Sequence, residues 1–225
     1  MKTLFVLAAA TLLLLNVMSA NPVSCTIPGG GVVTYNTPSS LTMTCGALTF
    51  SNFDLVSSTP SPGNIGKIDI IGLTYDSATG EVDMTLNPNL GASQVDDLLF
   101  QVSGGVTQLD LAVGGNDATI TERACSTSIP TSGSGAFLCP SGTMLGQVSD
   151  YSNDPAAPVF SSSFPVTSPI YIVKDIGTGA GGSLSSFTES FETNARGHVP
   201  EPISLVLLGS GLLALGMFRR RAHKS

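Results

Sequence analysis

Tryptophan is absent from this 225-residue chain, and histidine occurs only at positions 198 and 223. Charged residues make up only 11% of the sequence. A Ser–His–Asp triad or a catalytic metal site would need histidines that the central part of the chain lacks, and no GxSxG motif is present. Glycoside hydrolysis needs one defined pair of carboxyl groups, and no acidic spacing here selects a pair. The sequence therefore predicts a protein that is not an enzyme.

Basic residues are scarce between the two ends of the chain. The segment 21–199 holds four of the nine basic residues and 15 of the 16 acidic residues, so its net charge is about −11. Nucleic-acid binding needs clustered Lys and Arg, and it is excluded as a function. An acidic surface also repels anionic polysaccharide unless divalent cations bridge the two.

Long helical patterns are absent between the hydrophobic ends. Short runs rich in β-branched and aromatic residues recur instead, separated by Gly, Pro, Asn, Asp and Ser. Nine runs are predicted as strands: 31–35, 48–56, 67–75, 81–86, 98–102, 106–113, 118–123, 144–148 and 170–175. Turn signals at roughly 8–12-residue intervals predict one all-β domain over 21–192, an antiparallel β-sandwich or jelly roll, with an eight-stranded barrel as the alternative.

Two connections of this domain can be predicted from turn residues. The clearest hairpin runs from Ile70 to Leu86 around a turn at 76–80, where Gly80 can take a positive φ. The segment 153–169 is rich in Pro and Ser, which predicts an irregular connection. Residues 193–198 read as a short spacer after the domain.

Four cysteines occur in the central segment: Cys25, Cys45, Cys125 and Cys139. No CxxC half-site is present, so a zinc site is not indicated. The even count predicts disulfides if the chain enters an oxidising compartment, as the N-terminal segment described below predicts, and four cysteines allow three pairings. We expect Cys25–Cys45 and Cys125–Cys139, because each closes a local loop, and the second would enclose the Ser/Gly/Pro-rich stretch 126–135.

Two polar or glycine-rich patterns could suggest a ligand. Gly177–Gly182 matches GxGxxG, but no helix or βαβ pattern follows it, so it predicts a flexible loop between strands. The acids Asp76, Glu81 and Asp83 could supply oxygen ligands to calcium, while solvated carboxylates on turns and strand faces are the simpler interpretation. No other cofactor is indicated.

The N-terminus carries an export signal. Lys2 precedes an apolar stretch from Leu4 to Val17, and the small residues Ser19 and Ala20 follow. This order predicts a secretory signal peptide over residues 1–20, cleaved after Ala20 or Ser19, and export through the Sec pathway. An uncleaved N-terminal anchor is the alternative.

The C-terminal segment 199–225 has three parts in order. Val199, Pro200, Glu201 and Pro202 form an extended motif, because proline prevents an earlier helix start. The uncharged run 203–218 has 16 residues, slightly short for a membrane span of about 20. The basic tail 219–225 opens with Arg219, Arg220 and Arg221, and it predicts a cytoplasmic C-terminus after one transmembrane helix.

This C-terminal segment resembles the PEP-CTERM sorting signal of Gram-negative bacteria, which combines a Val-Pro-Glu-Pro motif, a short apolar helix and an Arg-rich end. The resemblance covers about 27 of the 225 residues. It implies that exosortase, a membrane-embedded cysteine protease, recognises Val199–Pro202, so that these residues belong to a substrate. An ordinary single-pass anchor is the alternative.

The resemblance also implies a place for the protein in the cell. We expect an inner-membrane-anchored intermediate that then reaches the cell surface or the extracellular matrix, beside exopolysaccharide and in biofilms. A calcium-assisted carbohydrate-binding module of that matrix is the alternative function.

Overall fold

The computed structural model describes residues 22–35, 37, 39–58, 66–130, 137–152 and 158–193. Thirteen strands lie within these ranges: β1 Val23–Ser24, β2 Val32–Thr34, β3 Met43–Cys45, β4 Leu48–Ser58, β5 Lys67–Asp76, β6 Glu81–Asn87, β7 Val95–Ser103, β8 Gln108–Val113, β9 Asn116–Cys125, β10 Met144–Tyr151, β11 Val159–Phe160, β12 Ile170–Ser183 and β13 Phe187–Glu192. One short 3₁₀ turn, Pro28–Gly31, lies between β1 and β2.

The strands form two antiparallel sheets. Sheet A has seven strands in the order β1-β5-β6-β13-β8-β11, with β2 also paired to β5. Sheet B has six strands in the order β10-β9-β12-β7-β4-β3. The two sheets share one hydrophobic core, and this sandwich-like arrangement confirms the all-β, antiparallel prediction.

The core follows from period-2 patterning along the strands. In β6, Val82, Met84 and Leu86 are fully buried, while the residues between them face the other side of sheet A. Contact between the two sheets is aromatic: Phe50 of sheet B lies 5.3 Å from Phe191 of sheet A, ring centre to ring centre, in an edge-to-face pair. Such pairs add about 0.5–1.5 kcal/mol beyond their buried area.

The predicted hairpin is confirmed. Strands β5 and β6 pair from Asp69–Asn87 to Asp76–Glu81, and Gly80 has a φ of 76°. Asp76 Oδ1 accepts a hydrogen bond of 2.7 Å from the Ala78 amide, so the carboxylate stabilises its own turn.

Sequence reasoning missed four strands, β1, β3, β11 and β13. Three of them have only two or three residues, and β11 lies within the connection 153–169 that was predicted to be irregular. Strand β13 is central to sheet A, between β6 and β8. Its sequence places Glu189 between Phe187 and Phe191 on the buried face, so a charged residue interrupts the apolar pattern that signals a strand.

The prediction of a loop at Gly177–Gly182 was wrong. This segment continues β12, which extends to Ser183. The glycines permit a close backbone approach, because a Cβ on Gly182 would lie 2.6 Å from the Asp117 carbonyl oxygen of β9. Glycine is therefore used here for packing within a sheet.

The predicted signal peptide (1–20) and the C-terminal segment from residue 194 onward lie outside the described residues. In the part of the chain that the structure describes, we find no helix with the length and apolar character needed to cross a membrane. The spacer begins at Thr193, whose hydroxyl donates a 2.8 Å hydrogen bond to the Gly80 carbonyl and so holds the end of β13 to the β5–β6 turn.

Candidate functional site

Both predicted disulfides are present. Cys25 is bonded to Cys45, and their Cα atoms are 5.5 Å apart. Cys25 follows β1 of sheet A and Cys45 ends β3 of sheet B, so this disulfide joins the two sheets. The described residues include no free cysteine.

The second disulfide lies on the outer face of sheet B. Cys125 at the end of β9 is bonded to Cys139, with a Cα separation of 5.4 Å. It holds the loop after β9 against the sheet, and Ile129 of that loop packs with Leu99 and Val173 in a small second hydrophobic cluster. The disulfide thus anchors a covering loop where the main core does not reach.

The three calcium candidates lie near one end of sheet A. Asp76 and Glu81 flank the hairpin turn, and Asp83 accepts hydrogen bonds from the hydroxyls of Ser190 at 2.7 Å and Thr74 at 3.4 Å. Nowhere in the described ranges do three or more His, Cys, Asp or Glu side chains come together as a metal site would require. The hydrogen bonds of Asp76 and Asp83 fit the simpler interpretation of turn and strand-face carboxylates.

The sorting-motif residues Val199, Pro200, Glu201 and Pro202 and the basic residues Arg219, Arg220 and Arg221 lie outside the described residues. Their roles remain predictions from the sequence.

The structure reveals a charged cluster that sequence reasoning missed. Lys174 of β12 forms ion pairs with Glu122 of β9 and Glu189 of β13, and all three side chains have 0% exposure. We call these residues the buried triad. Lys174 and Glu122 are opposite each other in sheet B, whereas Glu189 reaches them from sheet A.

The surroundings of the buried triad are apolar. Leu98 pairs with Lys174 on one side, and Met84 and Leu111 flank Glu189 in sheet A; all three are fully buried. The Lys174 ammonium also lies 5.4 Å from the centre of the Phe187 ring, within cation–π range. Charges in such a setting interact strongly because little water screens them.

In the buried triad two acids share one base, and this arrangement shifts the pKa values of all three groups. Burial raises the pKa of Glu189 well above its usual range, against the attraction of Lys174 and with the repulsion of Glu122. Burial likewise raises the pKa of Glu122, against the attraction of Lys174 and the hydrogen bond from its ammonium. Burial alone would lower the pKa of Lys174, but the two carboxyl groups outweigh it and raise that pKa. Of the two carboxyl groups, Glu189 is therefore the one whose neutral form burial favours more, while Glu122 accepts the hydrogen bond from the ammonium.

A signal for this cluster was present in the sequence. Ile170, Ile172 and Ile176 alternate as buried residues of β12, and Lys174 occupies the same face. A lysine in phase with buried isoleucines indicates a buried cation, which needs acidic partners. The identity of the acids that pair with Lys174 depends on strand pairing across two sheets. The local sequence pattern does not contain that information.

A groove on the outer face of sheet B is a second site. It has a volume of about 210 Å³ and is lined on its polar side by Asn52, Asp54, Gln101 and Tyr171. The Asn52 amide donates a 2.9 Å hydrogen bond to the Gln101 side chain, and Ile129 of the covering loop forms a wall. An aromatic ring beside two amides and a carboxylate suits a ligand with hydroxyl groups and apolar faces.

Comparison with known proteins identifies the C-terminal segment. Residues 198–221 match the family described as PEP-CTERM protein-sorting motif. No curated protein matches the chain. The match spans the four motif residues, the apolar run and the three arginines, which confirms the resemblance found in the sequence.

Proposed function

We propose that this chain, a PEP-CTERM protein, is a non-enzymatic surface or matrix protein that exosortase processes at Val199–Pro202. The sorting motif at residues 198–221 carries this proposal. The helix predicted over 203–218 holds the chain in the inner membrane with the arginines on the cytoplasmic side. Processing then frees the β domain for the cell surface or the extracellular matrix.

The two disulfides support export of the β domain. Disulfides form and persist in oxidising compartments and are rare in the cytosol. Four of four cysteines are paired, one pair linking the two sheets and one anchoring the loop on sheet B. Export before oxidation agrees with the signal peptide predicted over residues 1–20.

The experiment is an intact-mass measurement of the mature protein from its native host, with and without exosortase. Loss of the segment after about Val199 only when exosortase is present supports the proposal. Retention of residues 203–225 in both strains contradicts it and indicates a permanent single-pass anchor.

A second proposal is carbohydrate binding in the groove of sheet B. The net charge of the chain is −7, which favours a neutral over an anionic glycan. Tyr171 offers a ring face, and Asn52, Gln101 and Asp54 offer hydrogen-bonding groups to sugar hydroxyls. The calcium candidates Asp76, Glu81 and Asp83 belong to sheet A, whereas the groove lies on sheet B. A calcium ion bound by these acids would therefore assist by stabilising the domain and would not contact the glycan.

Calorimetric titration with neutral oligosaccharides from the host matrix tests this proposal. Tyr171→Ala should weaken binding at least tenfold, while Tyr151→Ala, an exposed tyrosine of β10 outside the groove, should leave it unchanged. Equal loss in both variants would contradict the assignment. Repeating the titration with calcium and with a chelator separates a calcium contribution from direct binding.

A further inference from the structure

We propose that Lys174 and Glu189 react to form an intramolecular isopeptide bond, and that Glu122 carries the proton transfers of this reaction. The proposal rests on the geometry of the buried triad. The Lys174 amino nitrogen contacts a carboxyl oxygen of each glutamate, and water has no access to any of the three side chains.

Proximity is the first requirement for this reaction, and the fold supplies it. Lys174 and Glu122 are held opposite each other by the β9–β12 ladder, and Glu189 is held by β6 and β8 on either side of β13. Two groups fixed in contact react as if at an effective concentration of about 10⁵ M or more. Amide formation, which is slow between free amines and acids in water, is thereby accelerated.

Protonation is the second requirement. Nucleophilic attack needs a neutral amine and an un-ionised carboxylic acid. Complete burial favours the neutral acid form of Glu189 and raises the pKa of that carboxyl. Glu122 accepts a hydrogen bond from the Lys174 ammonium and can take its proton, because in apolar surroundings a neutral pair competes with an ion pair.

The reaction balances without any further reactant. The ammonium of Lys174 gives one proton to the Glu122 carboxylate, and the resulting amine attacks Cδ of the protonated Glu189. The Nζ–Cδ bond forms and one Cδ–O bond breaks. Glu122 returns its proton to the departing hydroxyl group and takes a second proton from the nitrogen. The products are a secondary amide, one water molecule and a protonated Glu122.

Glu189 is the acceptor for a structural reason. A bond from Lys174 to Glu122 would join two strands that the sheet B ladder already pairs. A bond to Glu189 joins sheet B to sheet A through β13, the last strand before the spacer. The reaction also removes the buried charges, because the amide and the protonated Glu122 are neutral. A covalent tie between the sheets would suit a protein exposed outside the cell.

The test uses the full exported protein purified after oxidation and then digested with trypsin. Without the bond, trypsin cuts after Arg123, Lys174 and Arg196 and yields the separate peptides 124–174 and 175–196. With the bond, Lys174 is no longer a cleavage site, and the expected product is one peptide, 124–196, lighter by one water molecule. Fragmentation should assign the lost water to Lys174 and Glu189.

Two variants and a matched control refine the test. Lys174→Arg and Glu122→Gln should both restore the full mass, the first because it lacks the amine and the second because it cannot accept the proton. Lys67→Arg, which alters a partly exposed lysine outside the buried triad, should still lose the water. Because a variant can fail to fold, the unaltered protein decides the outcome. An intact mass without water loss in oxidised, folded protein, or a bond from Lys174 to Glu122, would overturn the proposal.

Discussion

Lys174 and Glu122 are opposed residues on neighbouring strands of one sheet, and both side chains are completely buried. Burying two opposite charges gains little net stability, because desolvation offsets most of their attraction. The third member, Glu189, adds a second acid from the facing sheet. The cluster therefore makes the interior of this domain sensitive to the loss of any one of its members.

Removing the base should destabilise the domain in a pH-dependent way. Lys174→Met leaves Glu122 and Glu189 buried beside each other without a base. The residues paired with the triad from the other strands are the apolar Leu98, Met84, Leu111 and Val148. At pH 7 the loss should be about 3–5 kcal/mol. The measurement is urea unfolding followed by circular dichroism.

In Lys174→Met no amide can form, so both carboxyl groups titrate. The sign of the pH effect follows from their burial, which raises both pKa values and which the attraction of Lys174 no longer opposes. Each acid holds its proton more tightly in the folded chain, so the stability it contributes is present below its ordinary pKa of 4.5 and is lost as the pH rises. The deficit of Lys174→Met should thus shrink as the pH falls from 7 towards 4.5. Lys67→Met removes a surface pair, 33% exposed at Lys67, and should cost less than about 1 kcal/mol at any pH. A deficit that stays constant with pH would contradict this account.

Two adjacent glycines of β12 should respond differently to alanine. A Cβ on Gly182 would lie 2.6 Å from the Asp117 carbonyl oxygen and 2.9 Å from the Gly179 nitrogen, whereas a Cβ on Gly181 meets nothing within 4 Å. Gly182→Ala should cost about 1–3 kcal/mol through overpacking against backbone. Gly181→Ala should be near neutral. Thermal unfolding of the two variants under one condition compares them, and equal melting temperatures would show that the β9–β12 contact can relax.

The disulfides should have separable roles. Cys125→Ala/Cys139→Ala should release the loop that covers sheet B and make limited proteolysis between 126 and 138 much faster. Cys25→Ala/Cys45→Ala should leave that loop protected. Each double variant should lose about 3 kcal/mol of stability through the added entropy of its unfolded chain. Matching cleavage patterns in the two variants would argue against a local role for Cys125–Cys139.

The sorting motif should depend on its central carboxylate. Glu201→Ala should leave the β domain folded but retain the C-terminal segment, because the residue that exosortase is expected to recognise is missing. Asp175→Ala, which removes an exposed carboxylate from β12, is the matched control and should be processed normally. The readout is the ratio of unprocessed to mature protein on immunoblots of host fractions. Normal processing of Glu201→Ala would contradict the assigned role.

Much of the fold was predictable because its signals are local. The β5–β6 hairpin follows from a turn sequence with Gly80 at a positive φ, and both disulfides join cysteines that are close in sequence. The strand β13 was missed because Glu189 occupies a buried position, and the extension of β12 was missed because glycines normally weaken strands. Both exceptions involve contacts with distant segments.

The sequence by itself determined the all-β class, the acidic charge and the PEP-CTERM sorting motif, and it favoured the disulfide pairs that the structure shows. Each of these depends on composition or on residues near one another along the chain. Only the tertiary structure brought Lys174, Glu122 and Glu189 together, and only it placed Asn52, Gln101 and Tyr171 in one groove. The reason is physical: strand order and register, set by how two whole sheets bury their apolar faces together, decide which distant side chains meet.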